Sequence, residues 1–416
     1  MRRTQQKGFT IVELIIVVSV IAILAGIVIL SYGAWRTKIA TDTVKSDLSQ
    51  VAAAMENART FNDEGYPTSV PTTYSSSSNV ITTPSTRMGG GSYCVVASST
   101  TDSSIQYYVS DKTPDPKPGN CDLTATLFVG GVGGYANATG AAAQFNIIEG
   151  LTVAPDGTIF ATDRNNVIRK ITTDAVVTTY AGTGVSGATN GPAATATFQG
   201  PRGLALDPQG NLYATDINNN SIRMITPGGV VSNFGPSTIH GTDIIRSERT
   251  GFFYALDGDN FGGVVWKISP AGVVTRIAGS GTAATVDGQG LSASFNDPRG
   301  LALDAGENIF VCENGGTQVV RKVTQSGVVT TYASSLSSRP GGATSALNGG
   351  CNAIAIDQSG TIYIATNTGR LQTIEKDGTV KTLLTGISSQ GLGLAFDTKG
   401  NLWYSSYYAI HKITIP

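Results

Sequence analysis

Histidine is almost absent from this chain, with only His240 and His411 among 416 residues. The chain therefore has too few histidines for most multi-histidine metal centres, and few candidates for histidine-based acid–base catalysis. Charged residues make up only 14% of the chain, against an ordinary share of about 25%. The net charge of -1 leaves no basic surface for a phosphate backbone. These scarcities argue against most enzyme classes and against nucleic acid as a partner.

The four cysteines show no CxxC spacing. This favours two disulfides formed in an oxidising compartment over a zinc site, although spacing alone does not assign the pairs. Glycine, in contrast, is abundant at 51 residues, well above the usual share of about 7%. We therefore expect a turn-rich, mostly β chain, and its length predicts more than one domain.

The amino terminus reads as a membrane segment. Residues 1–8 carry three basic side chains and no acid, and residues 9–30 are predominantly apolar with one charge, Glu13. Twenty-two residues at a rise of 1.5 Å cover about 33 Å, enough to cross the hydrocarbon core, with the basic flank in the cytoplasm. A cleaved secretory signal would have no reason to carry an acid near the start of its apolar run.

The stretch KGFTIVELIIV, residues 7–17, resembles the type IV prepilin signature. The resemblance implies that prepilin peptidase cuts between Gly8 and Phe9 and methylates Phe9. It also implies that Glu13 pairs with the terminal ammonium of a neighbouring subunit, since a carboxylate in lipid needs a partner. Other pilin subunits, prepilin peptidase and, before assembly, the cytoplasmic membrane are the expected partners. An ordinary membrane anchor with a hydrated Glu13 is the alternative.

The segment after the anchor is expected to complete a small α+β pilin-like head. Apolar residues recur at helical intervals, which predicts one long helix over residues 9–62 whose first half, about 9–30, is transmembrane. Short β patterns follow within residues 63–122. Pilin-like heads often close a loop with a disulfide, which would here join Cys94 and Cys121; two free thiols are the alternative.

From residue 123 to 416 the chain repeats itself, which predicts a solenoid or propeller. Six segments align without gaps as second strands: TIFATD, NLYATD, FFYALD, NIFVCE, TIYIAT and NLWYSS. The sixth unit lacks a fourth strand, and TATLFVGG at residues 124–131 can supply it, which closes a ring and removes open sheet edges. An all-β propeller of six four-stranded blades is therefore expected. The pattern, clearest at residues 180–229, resembles the NHL-repeat propellers.

Polar residues follow the predicted second strands and should share one face of the propeller. Amides and carboxylates can bind sugar hydroxyls or calcium, and tyrosine can stack on a sugar. A scaffold role is the favoured alternative for the repeated acids, and Arg202 and Arg299 are expected to pair with structural acids. The candidate ligand face comprises Asp163, Asn165, Asp216, Asn218, Asp257, Asp259, Asn260, Glu313, Asn314, Asn367, Tyr407 and Tyr408.

Three smaller features of the repeats complete the site predictions. LDGDNFGG at residues 256–263 spaces oxygen ligands like a calcium loop but lacks the later bidentate acid, so no metal site is predicted. Cys312 and Cys351 fit either a bridge between neighbouring blades or two buried thiols. His411 stands where other third strands carry Arg or Trp, and we expect it on the surface.

Together these features predict a type IV pilin-like subunit, minor or at the tip, that displays the propeller outside the cell as a binding or adhesion module for a glycan or protein. The precursor would be a single-pass protein of the cytoplasmic membrane, and the assembled form would lie on the cell surface or pilus. We expect no catalytic residues, no cofactor and no enzyme activity. A membrane-tethered propeller enzyme of lyase or lactonase type, or a secretion-system pseudopilin, is the alternative.

Overall fold

The computed structural model divides the chain into two compact units, Met1–Asp122 together with Pro416, and Leu123–Ile415. The residues that the structure describes are 11–58, 70–71, 74, 77, 80–84, 93–102, 104–110, 114–118, 124–258, 262–316, 318–334, 347, 349–375, 378, 380–387 and 392–414.

The first unit packs one long helix against a small sheet. The helix is α1 (Ile11–Asn57). The sheet is antiparallel in the order β1-β2-β3-β4, with β1 (Val80–Pro84), β2 (Cys94–Ser99), β3 (Gln106–Ser110) and β4 (Lys117–Pro118). Residues spaced three and four apart put one face of the helix on the sheet. The helix contributes Val44, Leu48, Val51 and Met55 to this core, all fully buried.

The predicted processing residues, Gly8 and Phe9, and the predicted assembly residue, Glu13, are not part of this core as the structure describes it. Gly8 and Phe9 lie outside the described residues, and Glu13 lies in α1 but its side chain is outside the described part. Within the described residues, no helix has the length and apolarity of a membrane span. The span over residues 9–30 therefore stays a prediction from the sequence.

The second unit opens with three strands that precede the first complete blade. They are β5 (Thr124–Gly130), β6 (Val132–Gly133) and β7 (Gln144–Phe145), and β6 pairs with β7 in parallel. Short 3-10 helices lie in the connections of this unit at Gly140–Ala142, Ile217–Asn219 and Gly290–Ser292.

The remaining strands form six antiparallel blades, with the first strand of each blade innermost. In chain order, blade 1 is β8 (Leu151–Val153), β9 (Ile159–Asp163), β10 (Val167–Ile171) and β11 (Val177–Ala181). Blade 2 is β13 (Pro201–Leu206), β14 (Leu212–Asp216), β15 (Ser221–Ile225) and β16 (Val230–Phe234), with β12 (Gly191–Pro192) paired outside β16. Blade 3 is β17 (Gly241–Arg246), β18 (Phe253–Asp257), β19 (Val264–Ile268) and β20 (Val274–Ala278).

The second half of the ring repeats this plan. Blade 4 is β22 (Pro298–Leu303), β23 (Ile309–Glu313), β24 (Val319–Val323) and β25 (Val328–Ser334), with β21 (Gly288–Gln289) outside β25. Blade 5 is β26 (Cys351–Ile356), β27 (Ile362–Thr366), β28 (Arg370–Ile374) and β29 (Val380–Thr385). Blade 6 is β30 (Gly393–Phe396), β31 (Leu402–Ser405) and β32 (Ala409–Thr414), completed by β5.

The two ends of the repeat region close the ring. Strand β5 pairs antiparallel with β32, from Ala409 opposite Gly130 to Thr414 opposite Thr124. The six-bladed propeller predicted from the repeats is thus confirmed, and the degenerate third repeat forms a complete blade.

Apolar residues between adjacent blades form the core of the propeller. Each interface joins side chains from two neighbouring sheets, as where the rings of Tyr213 and Phe253 meet at 4.3 Å between blades 2 and 3. Because blades pack face to face around a closed circle, each blade is held by two neighbours rather than one.

Glu307 occupies a turn position where the other five blades have glycine. Its φ is +65°, and the corresponding glycines have φ between +74° and +89°. A side chain in this region costs roughly 1–2 kcal/mol. The Ser247 hydroxyl of blade 3 donates to the Glu307 carboxylate at 2.8 Å, so a hydrogen bond between blades offsets the strain.

Replacement of Glu307 by alanine should keep the strain and lose the bond to Ser247. We expect the free energy of unfolding to fall by about 1–3 kcal/mol, measured by denaturant titration of tryptophan fluorescence. The matched variant Glu307→Gly also loses the bond but relieves the strain, and should be about 1 kcal/mol more stable than Glu307→Ala. Equal stability of the two variants would contradict the strain, and a fully stable alanine variant would contradict the bond's contribution.

Candidate functional site

Three blades carry the same buried ion pair between an acid at the end of the second strand and an arginine in the third strand. The N–O distances are 2.8, 2.8 and 2.6 Å in the pairs Arg169–Asp163, Arg223–Asp216 and Arg321–Glu313. All six side chains are 0% exposed. A buried pair of this kind is stable only when further hydrogen bonds satisfy its remaining donors and acceptors.

Arg223 shows how the pair also holds the connection that precedes its blade. Its Nη2 donates to the Thr189 carbonyl at 2.9 Å and to Asn190 Oδ1 at 2.7 Å, in addition to the bond from Nη1 to Asp216. The guanidinium carbon lies 5.1 Å from the centre of the Phe198 ring. The other two arginines bond to their own connections in the same way. Each arginine therefore fixes the chain that links two blades.

The repeated acids cannot form part of a ligand face. Asp163, Asp216 and Glu313 are expected from the sequence either on that face or in the scaffold. The structure places them inside the blades, where arginine and backbone N–H groups occupy their oxygens. They are scaffold residues, because a carboxylate with no exposed surface and a committed cation offers nothing to a ligand.

The other blades replace this pair with different residues. In blade 3 the Trp266 Nε1 donates to Asp257 at 3.2 Å, and burial raises the pKa of Asp257. Blade 5 has Thr366 and Gln372 at the two positions, and blade 6 has Ser406 and His411.

His411 is half-buried, which corrects the expectation of a surface residue. Burial lowers its pKa, so neutral imidazole is favoured. The histidine lies in the arginine position of the third strand, which faces the interior of the blade, and this is why it is not on the surface.

The remaining predicted ligand residues lie at the connections between second and third strands. Asn218, Asn367 and Tyr408 are exposed, whereas Asn165, Asp257, Asn314 and Tyr407 are half-buried. Asp259 and Asn260 lie outside the described residues. A binding role of this polar face therefore depends on three exposed side chains and their half-buried neighbours.

The structure brings two of these residues together across blades 4 and 5. Asn367 Nδ2 donates to Asn314 Oδ1 at 3.1 Å, and Asn314 Nδ2 donates to Asp297 at 3.3 Å. Asp297 in turn pairs with Arg299 at 2.9 Å. The amides thus form a connected polar row rather than isolated groups. Tyr407 and Tyr408 are also neighbours, with ring centres 6.0 Å apart.

Arg202 and Arg299 lie on the innermost strands of blades 2 and 4, which surround a central channel, and both arginines pair with acids. Arg202 contacts Glu149 at 2.6 Å, and Arg299 contacts Asp297. Glu149 also binds Arg164, and only 8% of its side chain is exposed. The charges near this end of the channel are therefore largely neutralised in pairs.

The innermost strands surround the channel, and one charged residue lies among small ones. In each blade, one residue of the first strand pairs with the middle residue of the second strand. The residue just before it is an equivalent position in all six blades. This position holds Gly150, Gly203, Asp243, Gly300, Ala353 and Gly393. Small residues are required because the strands converge, and a Cβ on Gly203 would lie 2.6 Å from the Asp243 Cα.

Asp243 was not singled out by sequence reasoning. The signal was present, since one repeat has an acid where four have glycine and one has alanine. It was obscured because the third repeat departs from the consensus on both sides of this position.

The cysteines of blades 4 and 5 are joined. Cys312 and Cys351 form a disulfide with their Cα atoms 5.5 Å apart, which links the second strand of one blade to the first strand of the next. In the first unit Cys94 is disulfide-bonded, and Cys121 lies outside the described residues.

The described residues do not converge on a metal site: no three His, Cys, Asp or Glu side chains among them are grouped suitably. The calcium-like loop at residues 256–263 includes Asp259 and Asn260, which lie outside that part of the chain.

Comparison with known families gives two matches, one at the amino terminus and one in blade 2 of the propeller. Residues 3–29 match the prokaryotic N-terminal methylation motif, and residues 198–223 match the NHL repeat. The chain joins a prepilin-type methylation motif to a six-bladed propeller that contains an NHL repeat. The methylation motif implies processing by prepilin peptidase, assembly with pilins and a membrane-anchored precursor. The NHL match covers the second blade from before β13 into β15, including Asp216 and Arg223. No curated protein matches the chain.

Solved structures are similar to this chain at low sequence identity. A protein of unknown function from Bacteroides thetaiotaomicron is 17% identical, with a TM-score of 0.54 over 78% of this chain and 82% of its own. A gluconolactonase from Xanthomonas campestris is 17% identical, with a TM-score of 0.49 over 66% and 87%. Virginiamycin B lyase from Staphylococcus aureus is 16% identical, with a TM-score of 0.44 over 80% and 94%.

These structures correct the prediction that the chain is not an enzyme. That prediction is wrong as a conclusion from composition, because propellers of this kind include a lactonase and a lyase. The similarities, at 15–17% identity, assign no reaction to this chain.

Proposed function

We propose that the protein is a pilin-like subunit that displays its propeller outside the cell as a binding or adhesion module. The observation that carries this proposal is the fusion itself: a methylation motif over residues 3–29 precedes a ring that closes on its own first strand. A closed ring needs no strand from another chain, so it suits presentation at the end of a pilin segment.

In this proposal the precursor comprises a leader (1–8), a pilin-like helix (9–62) with a transmembrane part at about 9–30, a head (63–122) and the propeller (123–416). The packing of α1 on a four-stranded antiparallel sheet supports a pilin-like head. A propeller of this size on every subunit would crowd a helical filament, which favours a minor or tip position. The exposed Asn218, Asn367 and Tyr408 are the proposed contacts for a surface glycan or protein.

Immunogold electron microscopy tests the display directly. An antibody against residues 123–416 should label sheared filaments, and the label should concentrate at their tips. Label confined to the cell envelope would contradict the pilus assignment and favour a pseudopilin or tethered enzyme. Regular label along the whole filament would contradict the tip position.

The variant Glu13→Gln tests the assembly step separately. If Glu13 pairs with the amino terminus of a neighbour, this variant should accumulate in the membrane and lose most filament label, because the buried charge pair is absent. The control is leader cleavage, which is measured by the shift in gel mobility and shows that processing of the variant is intact. Normal incorporation into filaments would overturn the pairing.

A further inference from the structure

A cavity of about 400 Å³ lies along the axis of the propeller and is lined by the inner strands. The surface that faces the cavity is divided about evenly between polar and apolar atoms, and Leu151, Leu204, Leu301, Ile354 and Leu394 are among the lining residues. Small-molecule sites typically enclose about 300–1,000 Å³ of mostly apolar surface with a few polar groups. The channel therefore has the size of a site for a small organic molecule, and its mixed lining can contact both a polar and an apolar part of one.

Asp243 contributes a carboxylate to the lining of this channel. Its carboxylate accepts hydrogen bonds from the backbone N–H groups of Ile244 at 2.8 Å and Leu301 at 3.0 Å. The second bond crosses from blade 3 to blade 4. The residue lies deep in the domain but keeps surface toward the channel, and burial raises its pKa to about 7 in spite of the two N–H donors.

The other acids that line the channel have cationic partners. Glu149 pairs with Arg202, and Glu248 pairs with Arg246 at 3.1 Å. Among the described residues, Asp243 forms no ion pair. A deeply placed carboxylate without a counter-charge is costly, and the free space beside it can admit the missing cation.

We propose that the channel binds a small organic ammonium ion, with the cationic head on Asp243 and the alkyl part against the apolar side chains of the lining, such as Leu303 and Ile356. A metal ion fits less well, because a hard cation takes several oxygen ligands and no three acids, cysteines or histidines of the described chain converge here. This inference goes beyond the proposed function, since it concerns the channel rather than the polar face and holds wherever the protein is displayed.

Calorimetry with n-hexylammonium chloride on the purified full-length protein tests the site, with hexan-1-ol as the uncharged analogue of the same length. At pH 8 we expect n-hexylammonium to bind at least about tenfold more tightly than the alcohol. Asp243→Gly restores the residue found in four other blades and should abolish this preference. Asp174→Gly, which removes an exposed acid from a turn of blade 1, is the matched control and should bind as the wild type does.

The pH dependence provides a second, independent measurement. Only the ionised carboxylate attracts the ammonium, so wild-type affinity should fall about tenfold between pH 8 and pH 6 as Asp243 takes up a proton. Because it uses the wild type alone, the pH dependence tests the role of Asp243 even if Asp243→Gly does not fold. Equal affinity for n-hexylammonium and hexan-1-ol, equal binding by wild type and Asp243→Gly, or no binding of n-hexylammonium at roughly 10 mM would each overturn the proposal.

Discussion

Replacing Arg223 with alanine should lower the free energy of unfolding of the propeller by about 3–5 kcal/mol. The loss is large because the change leaves the Asp216 carboxyl group fully buried and without its cationic partner, and because Thr189 and Asn190 lose their donor. Denaturant titration of the full-length protein, followed by the fluorescence of Trp266 and Trp403, measures this loss.

A double-mutant cycle separates the ion pair from simple loss of packing. Arg223→Ala with Asp216→Ala should cost clearly less than the sum of the two single changes, because the double variant leaves no unpaired charge. Arg249→Ala is the control, since its side chain is 65% exposed and its contact with Glu307 is 3.5 Å long; it should change stability by no more than about 1 kcal/mol. Additive single effects would contradict a coupled buried pair.

Removing the disulfide between blades 4 and 5 should cost up to about 4 kcal/mol, the chain-entropy contribution of a loop of this length. The two cysteines are 39 residues apart in sequence. The suitable variant is Cys312→Thr with Cys351→Ser, because threonine occupies the equivalent position in blades 1 and 2. There, Thr162 and Thr215 accept a hydrogen bond from the first strand of their own blade.

Chemical reduction alone would not isolate this effect, because Cys94 in the first unit is also disulfide-bonded. The comparison is therefore between wild type and the double variant, each with and without reductant. We expect reductant to lower the propeller's melting temperature in the wild type and to leave that transition unchanged in the variant. A wild-type propeller transition that is insensitive to reductant would show that the bridge contributes little.

The blade count could be predicted from the sequence because each blade repeats the same local pattern. Alternating apolar residues, turn glycines and the aligned second strands reveal one supersecondary unit after another. The missing fourth strand of the last repeat then required a partner from the other end of the chain, and TATLFVGG was the segment of matching composition. Ring closure followed from the physical cost of open sheet edges.

The polar face was harder to predict, because an acid that ends a strand looks the same in sequence whether it faces solvent or an arginine. Asp163 and Asp216 are followed by an arginine six or seven residues later. Only the packing of the third strand and of the preceding connection shows that this arginine turns inward and takes up the carboxylate.

By itself, the sequence determined the prepilin-type amino terminus, the six blades and the order of their strands, since these depend on local periodicity and on contiguous motifs. The tertiary structure alone decided which acids are buried, and that Asp243 stands in the central channel without a counter-charge. The physical reason is that burial and ion pairing arise between strands distant in sequence. The inner strands of all six blades must converge before one side chain among them can face a shared cavity.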